Sequence, residues 1–168
     1  FGIEVGEPRV LWDEVRKRKD SNVKMLGLGL TQNLKAANVA VISGEGILIG
    51  SHELRVKSVT GETTFTADHI ILALGSNSLF LPSMTQGKHV ISSTEILNLE
   101  KIPVRLAVIG GGVTGVEMAS IFCELGTEVT VFERGPRILP ALDADVTTEL
   151  KRALEKKGCK IFTDVTVT

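Results

Sequence analysis

The chain has 168 residues, room for one ordinary domain or two small ones, and 43% of them are hydrophobic, enough for a packed core. Its 19 Lys and Arg against 20 Asp and Glu leave a formal charge of −1, which gives no electrostatic case for nucleic acid or for an anionic membrane surface. No apolar run approaches the length of a bilayer span, and the first residues do not read as a signal peptide.

Residues 1–7 read as a short extended lead-in, and Pro8 suits the first turn of a helix. Trp12, Val15, Val23, Leu26, Leu30 and Leu34 then give a helical stripe as far as Ala37, with Gly27 and Gly29 leaving room for a kink or break near the middle. Arg16-Lys17-Arg18-Lys19 is read as the wet face of that helix, because the net charge is near zero. From Asn38 the pattern turns strand-like. Val39–Ile42, Gly46–Ile49, Leu54–Val56 and Thr63–Phe65 are short candidates, the last two forming a hairpin across Thr60-Gly61-Glu62. Ala67–Gly75 reads as a buried strand running into a glycine turn at Gly75-Ser76. A loop over Ser83–Lys88, a short strand at Val90-Ile91 and a short helix over Ser93–Leu99 lead to Pro103.

The segment Val104–Glu133 carries the clearest chemistry. Leu106–Ile109 is a continuous apolar run, as in a parallel strand buried on both faces. Gly110, Gly112 and Gly115 supply GxGxxG where that strand ends. From Val113 the pattern is helical, with Val116, Met118 or Ala119, Phe122 and Leu125 on one stripe and Gly126 as the stop. Val129 and Val131, flanked by Thr130 and Phe132, form a second strand ending on Glu133, 23 residues after Gly110. Each feature has a physical reason: Gly110 for the tight turn, Gly112 so that backbone N–H groups can approach a pyrophosphate at the helix N-terminus, Gly115 for close helix–sheet packing, and a terminal acid for the adenosine ribose. The expected ligand is a dinucleotide. Glu133 favours NAD over NADP, since a carboxylate repels a 2′-phosphate; Arg134 and Arg137 weigh the other way but read as a solvated loop.

Beyond Glu133, Arg134–Leu142 is a loop with Pro136 and Pro140. Asp143 can cap a helix in which Val146, Leu150, Ala153 and Leu154 line one face; Gly158 ends it, and Lys160–Phe162 is a third strand. Residues 104–168 thus read as βαβαβ, half of a doubly wound domain, and in such a sheet the ligand crevice lies beside the first strand, where strand order reverses. Cys123 and Cys159, 36 residues apart, form no CxxC or CxxxxC and read as buried free thiols of a reducing compartment. His52, His69 and His89 are isolated, and no metal-ligand spacing occurs, so no catalytic residue and no metal ligand are assigned.

Several passages in one order (FGIEV, the helix with VRKRKD, ISGEG, HIILALGS, ISSTEILNLEKIP, IGGGVTGVEMASIFCELGTEVTVFE and RILPALD) resemble the flavin- and pyridine-nucleotide-dependent disulfide oxidoreductase family, and within it the dihydrolipoamide dehydrogenases. The likeness covers essentially all 168 residues. It implies an α/β, Rossmann-like FAD/NAD(P)-binding fold: residues 1–98 the central part of a flavin domain, and residues 99–168 the first half (βαβαβ) of an inserted NAD domain. It further implies that Gly46 approaches the adenine part of FAD, that Leu74-Gly75-Ser76 form the family's turn against FAD, and that Gly110, Gly112, Val113, Thr114 and Gly115 cradle the NAD pyrophosphate. Glu117 would lie close to the nicotinamide ribose and Glu133 would hold the adenosine ribose. Without the resemblance, Glu117 reads as an ordinary first-turn acid complementing the helix dipole. Leu74 stands where the family usually has Thr, and Thr114 where Ile is usual; neither change removes a backbone donor.

The family's first flavin-binding βαβ, its CxxxxC and its His–Glu pair have no counterpart in this sequence. Phe1 and the terminal Val165-Thr166-Val167-Thr168 both read as cut ends, so the expectation is a fragment, inactive alone. The resemblance implies that the full enzyme oxidises dihydrolipoamide and reduces NAD+, serves the lipoyl domain of a 2-oxo acid dehydrogenase complex, is a homodimer, and works in the bacterial cytoplasm or the mitochondrial matrix. Two alternatives stay open: another member of the family, such as an NADH oxidase or a glutathione or mercuric reductase, and a non-catalytic NAD-binding module.

Overall fold

A computed structural model describes Gly6 and residues 9–168. The lead-in passage FGIEV and the helix start at Pro8 lie outside the described residues. The chain divides into two units, one made of the described residues up to Arg18 together with Ser78–Thr168, the other of Lys19–Asn77.

The first helix, α1 (Trp12–Ala36), runs through the boundary between them. It is unbroken through Gly27 and Gly29, and none of its residues is buried. Its expected stripe is present as a pattern but mostly uncovered: Trp12 and Leu34 are half-buried, while Leu26 stays 74% exposed. The second unit continues with an antiparallel sheet of β1 (Glu45–Leu48), β2 (Glu53–Ser58) and β3 (Gly61–Thr66), in the order β1-β2-β3. Ser58 pairs with Gly61, so the hairpin turn is Val59-Thr60, one residue earlier than the glycine suggested; Gly61, at φ +127°, is the first strand residue instead. Only Val56 is buried here. Two expected strands are not formed, Val39–Ile42 and Ala67–Gly75. Both have β-type composition, but no neighbouring strand supplies a ladder, and Ile71 and Leu74 are almost fully exposed.

The first unit is the βαβαβ expected. β4 (Arg105–Ile109), α3 (Val113–Glu124), β5 (Glu128–Phe132), α4 (Ala144–Lys156) and β6 (Lys160–Phe162) follow in order, and the strands pair in parallel as β4-β5-β6. A short helix α2 (Ser93–Ile96) precedes them; the Ser92 hydroxyl and the Glu95 side chain form a reciprocal capping box, and the bonds from Ser92 hold the Glu95 carboxyl below its usual pKa. This helix is shorter than expected, and Val90-Ile91 forms no strand.

The core lies between the central strand and the two helices. Val129 and Val131 of β5, Ala119 and Phe122 of α3, Leu154 of α4 and Ile161 of β6 are buried together. Trp12 joins them: its indole lies 6.2 Å from the Phe122 ring, and its Nε1–H donates to the Leu99 carbonyl at 2.8 Å. α4 keeps only part of the expected face. Thr147 and Leu154 are buried and Leu150 is half-buried, whereas Val146 and Ala153 face solvent. The Thr147 hydroxyl makes this tolerable by donating to the Ala144 carbonyl at 3.0 Å. Asp143 occupies the N-cap without a side-chain hydrogen bond. β4 is not buried on both faces either: its residues alternate, Leu106 and Val108 packing on the core while Arg105, Ala107 and Ile109 on the other face are exposed.

Candidate functional site

Where β4 ends, the three motif glycines occupy different environments. Gly110 has φ +103°, a conformation that L side chains rarely adopt, and its N–H donates to the Phe132 carbonyl at 2.8 Å. Gly115 lies so close beneath it that a Cβ there would come within 2.0 Å of the Gly110 carbonyl oxygen. Gly112 is the N-cap of α3, and a Cβ on it would meet nothing within 4 Å. One glycine is thus required by the turn and one by helix–strand contact, while the third faces open space. The first N–H groups of α3 have no partner within the helix, and the helix dipole places partial positive charge at the same end. That combination suits an anion lying against the turn.

Glu133 follows β5 directly. Its carboxylate accepts the Gly111 N–H at Oε2 and the Gly135 N–H at Oε1, both at 2.6 Å. Arg137 is not simply solvated: its guanidinium donates to the carbonyls of Pro140 at 2.9 Å and Leu142 at 3.3 Å, within its own loop. Arg134 is exposed. Val113, Thr114 and Glu117 are exposed at the start of α3, with Glu117 just beyond the first turn. Beside the unpaired edge of β4, a groove of about 760 Å³ is lined by Leu106 and Val108 of the strand and by Thr114, Gly115 and Met118 of the helix.

The other expected residues belong to the second unit. Gly46 sits in β1 opposite Val56 and is exposed; Leu74 and Ser76 are exposed around Gly75, which has φ +71°. Gly75 thus has the left-handed backbone conformation that a glycine turn uses, although the strand before it is not formed. Cys159 is buried, and burial pushes its thiol pKa up to about 11; Cys123 is half-buried, and its thiol donates to the Lys157 carbonyl at 3.2 Å. Among the described residues no group of three His, Cys, Asp or Glu side chains could hold a metal ion, and no helix is long and apolar enough to cross a membrane.

Reasoning from the sequence missed Gly111, Ile138 and Leu139. Gly111 is buried, and the Leu139 N–H donates to its carbonyl at 2.8 Å, while Ile138 is buried directly against it. The available signal was an apolar pair, Ile138-Leu139, between Pro136 and Pro140.

Comparison with known proteins identifies the family. Residues 4–168 match the sequence profile of the pyridine nucleotide-disulphide oxidoreductase family. The chain is 35% identical over 173 residues to a dihydrolipoyl dehydrogenase of Mycoplasma genitalium, covering 99% of this chain and 37% of that protein. It is 36% identical over 161 residues to a mitochondrial dihydrolipoyl dehydrogenase of Pisum sativum, covering 95% of this chain and 32% of that protein. The chain thus spans about a third of the length of these relatives. Among solved structures, the HOCl-induced flavoprotein disulfide reductase RclA from Escherichia coli superposes with a TM-score of 0.80 at 31% identity, over 92% of this chain and 35% of that one. Proteins of the family use FAD and NAD. A glycine turn set in a parallel βαβαβ unit, with a family profile matched along nearly the whole sequence, places the chain in the pyridine nucleotide-disulphide oxidoreductase family, with its Rossmann-like FAD/NAD(P)-binding fold.

Proposed function

We propose that this chain supplies the NAD site and part of the FAD site of a dihydrolipoyl dehydrogenase. The observation that carries the reading is the cradle at the end of β4, where Gly110 and Gly115 are required by the fold but Gly112 is required only if something else comes close. The residues fit a dinucleotide. Gly110, Gly112, Val113, Thr114 and Gly115 would cradle the NAD pyrophosphate, Gly110 by shaping the turn with its own N–H held by the Phe132 carbonyl and the others by their backbone N–H groups. Glu117 would lie near the nicotinamide ribose, and Glu133 would receive the adenosine ribose. Gly46, Leu74, Gly75 and Ser76 would contact FAD. In this reading residues 1–98 belong to the flavin domain and 99–168 to the NAD domain. Bound FAD and NAD supply the electron-transfer chemistry; the chain's own residues bind and orient them.

NAD is preferred over NADP because the Glu133 carboxylate would face a 2′-phosphate while Arg137 is already engaged with two carbonyls. The substrate assignment is supported by the relatives' names, one of which marks a mitochondrial protein. With that assignment go a lipoyl-domain partner within a 2-oxo acid dehydrogenase complex, a homodimeric full-length enzyme, and a bacterial cytoplasmic or mitochondrial matrix location, which follow from the family resemblance alone. The likeness to RclA favours a second reading, a flavoprotein disulfide reductase with another substrate.

Two measurements test this. Calorimetric titration should show NADH binding to the protein, and absence of binding would sink the nucleotide site. The 168-residue chain alone should not reduce NAD+ with dihydrolipoamide, because its two cysteines are 36 residues apart and one is buried; clear turnover without another chain would overturn that part.

A further inference from the structure

We propose that Glu133 has a second task, which rests on the nucleotide-site reading above: it is the positioning residue that fastens the glycine turn in its receptive shape before any nucleotide arrives. The argument begins at Gly111, the residue between the first two motif glycines. It is buried, and both of its backbone polar groups are engaged, the N–H by Glu133 Oε2 at 2.6 Å and the carbonyl by the Leu139 N–H at 2.8 Å. Its surroundings leave no room: a Cβ at Gly111 would lie 2.9 Å from Ile138 Cγ2 and 3.1 Å from Glu133 Cβ. The second carboxylate oxygen of Glu133 takes the Gly135 N–H, also at 2.6 Å. One side chain thereby ties together the end of β4, the end of β5 and the loop beyond it.

The two tasks are compatible by acceptor count. A carboxylate offers about four lone-pair directions; the backbone donors use one on each oxygen, leaving one on each for a pair of ribose hydroxyls. Bonds to an ionised acceptor are stronger than neutral ones, and a buried N–H that loses its partner is costly. An amide cannot replace the carboxylate here, because its NH₂ would meet one of the two backbone N–H groups, donor against donor. The consequence for specificity is direct. Removing the acid to admit a 2′-phosphate also unfastens the turn that binds the pyrophosphate, so the change disables the site rather than converting it.

The test compares cofactor-free wild-type protein with Glu133→Gln and Glu133→Ala, reading amide hydrogen exchange at Gly111 and Gly135 and using the Val131 amide of central strand β5 as the fold reference. NADH and NADPH titrations of the same three proteins accompany it. Both glycine amides should be protected in wild type. In each variant their exchange should rise at least tenfold relative to Val131, and NADH affinity should fall at least tenfold with no gain for NADPH. An unprotected Gly111 amide in wild type overturns the proposal, and this holds even if a variant fails to fold. Unchanged exchange in a folded variant, or a gain of NADPH binding, overturns it as well. Failure of wild type to bind NADH would sink the nucleotide reading instead, and the exchange rates would still decide whether Glu133 fastens the turn.

Discussion

Gly112 and Gly115 are chemically identical and three residues apart, yet the structure assigns them opposite burdens. A methyl group at Gly115 would collide with the Gly110 carbonyl oxygen at 2.0 Å, a backbone atom that cannot rotate away. Gly115→Ala should therefore destabilise the protein by about 2–3 kcal/mol or more, the scale of overpacking, seen as a lower denaturant midpoint. Gly112→Ala meets no atom within 4 Å, so its stability should fall by no more than about 1 kcal/mol, the usual cost of Ala at an N-cap. Its NADH affinity should nevertheless drop at least tenfold. A large loss of stability in the second variant, or unchanged binding, would show that the open space at Gly112 is not a ligand's. Both glycines were legible from GxGxxG. The role of Gly111 was not, because its crowding comes from Ile138, 27 positions along the chain.

At the scale of the element, α4 shows how a periodic pattern can be read partly right: Leu150 and Leu154 turn toward the core as expected, Val146 and Ala153 do not. Val146, Leu150, Ala153 and Leu154 form a plausible apolar face, but the helix turns Thr147 inward and Val146 outward. Thr147 can be buried because its hydroxyl bonds to its own helix, a satisfaction that an apolar count does not register. Leu154→Ala should cost about 2–5 kcal/mol, as for other buried leucines, whereas Val146→Ala should stay within about 0.5 kcal/mol. Equal effects in chemical denaturation would contradict the observed face. The same limit explains the segment Ala67–Gly75: apolar β-branched residues give strand propensity, but a strand exists only where another supplies hydrogen bonds.

For the molecule as a whole, stability at alkaline pH should report on the core beneath the third strand. Cys159 has its thiol raised from 9.0 to about 11 by burial, so the folded state holds that proton more tightly than the unfolded chain does. Stability from this group is complete below about pH 9 and is lost as pH rises toward 11. Lys17 and Lys157, raised above 10.5 by hydrogen bonds with Glu14 and Glu124, act only at the upper end of that window, and the chain has no tyrosine to confuse it. Urea unfolding from pH 7 to 10.5 should therefore show a plateau and then a decline beginning near pH 9, and Cys159→Ala should flatten the decline. An identical slope in the variant would mean that the thiol is not the cause.

The local sequence determined the order of the parallel unit, the residues of its turn and the acid at its second strand end, because glycine spacing and apolar runs act over a few neighbouring positions. Only the tertiary structure decided that Val39–Ile42 and Ala67–Gly75 formed no strand, that Thr147 of α4 went inside, and that the Glu133 carboxylate closes on Gly111, 22 residues back along the chain. The reason is physical: burial and hydrogen bonding are properties of pairs of segments, and a residue's own neighbours in sequence do not say which distant backbone will arrive to complete them.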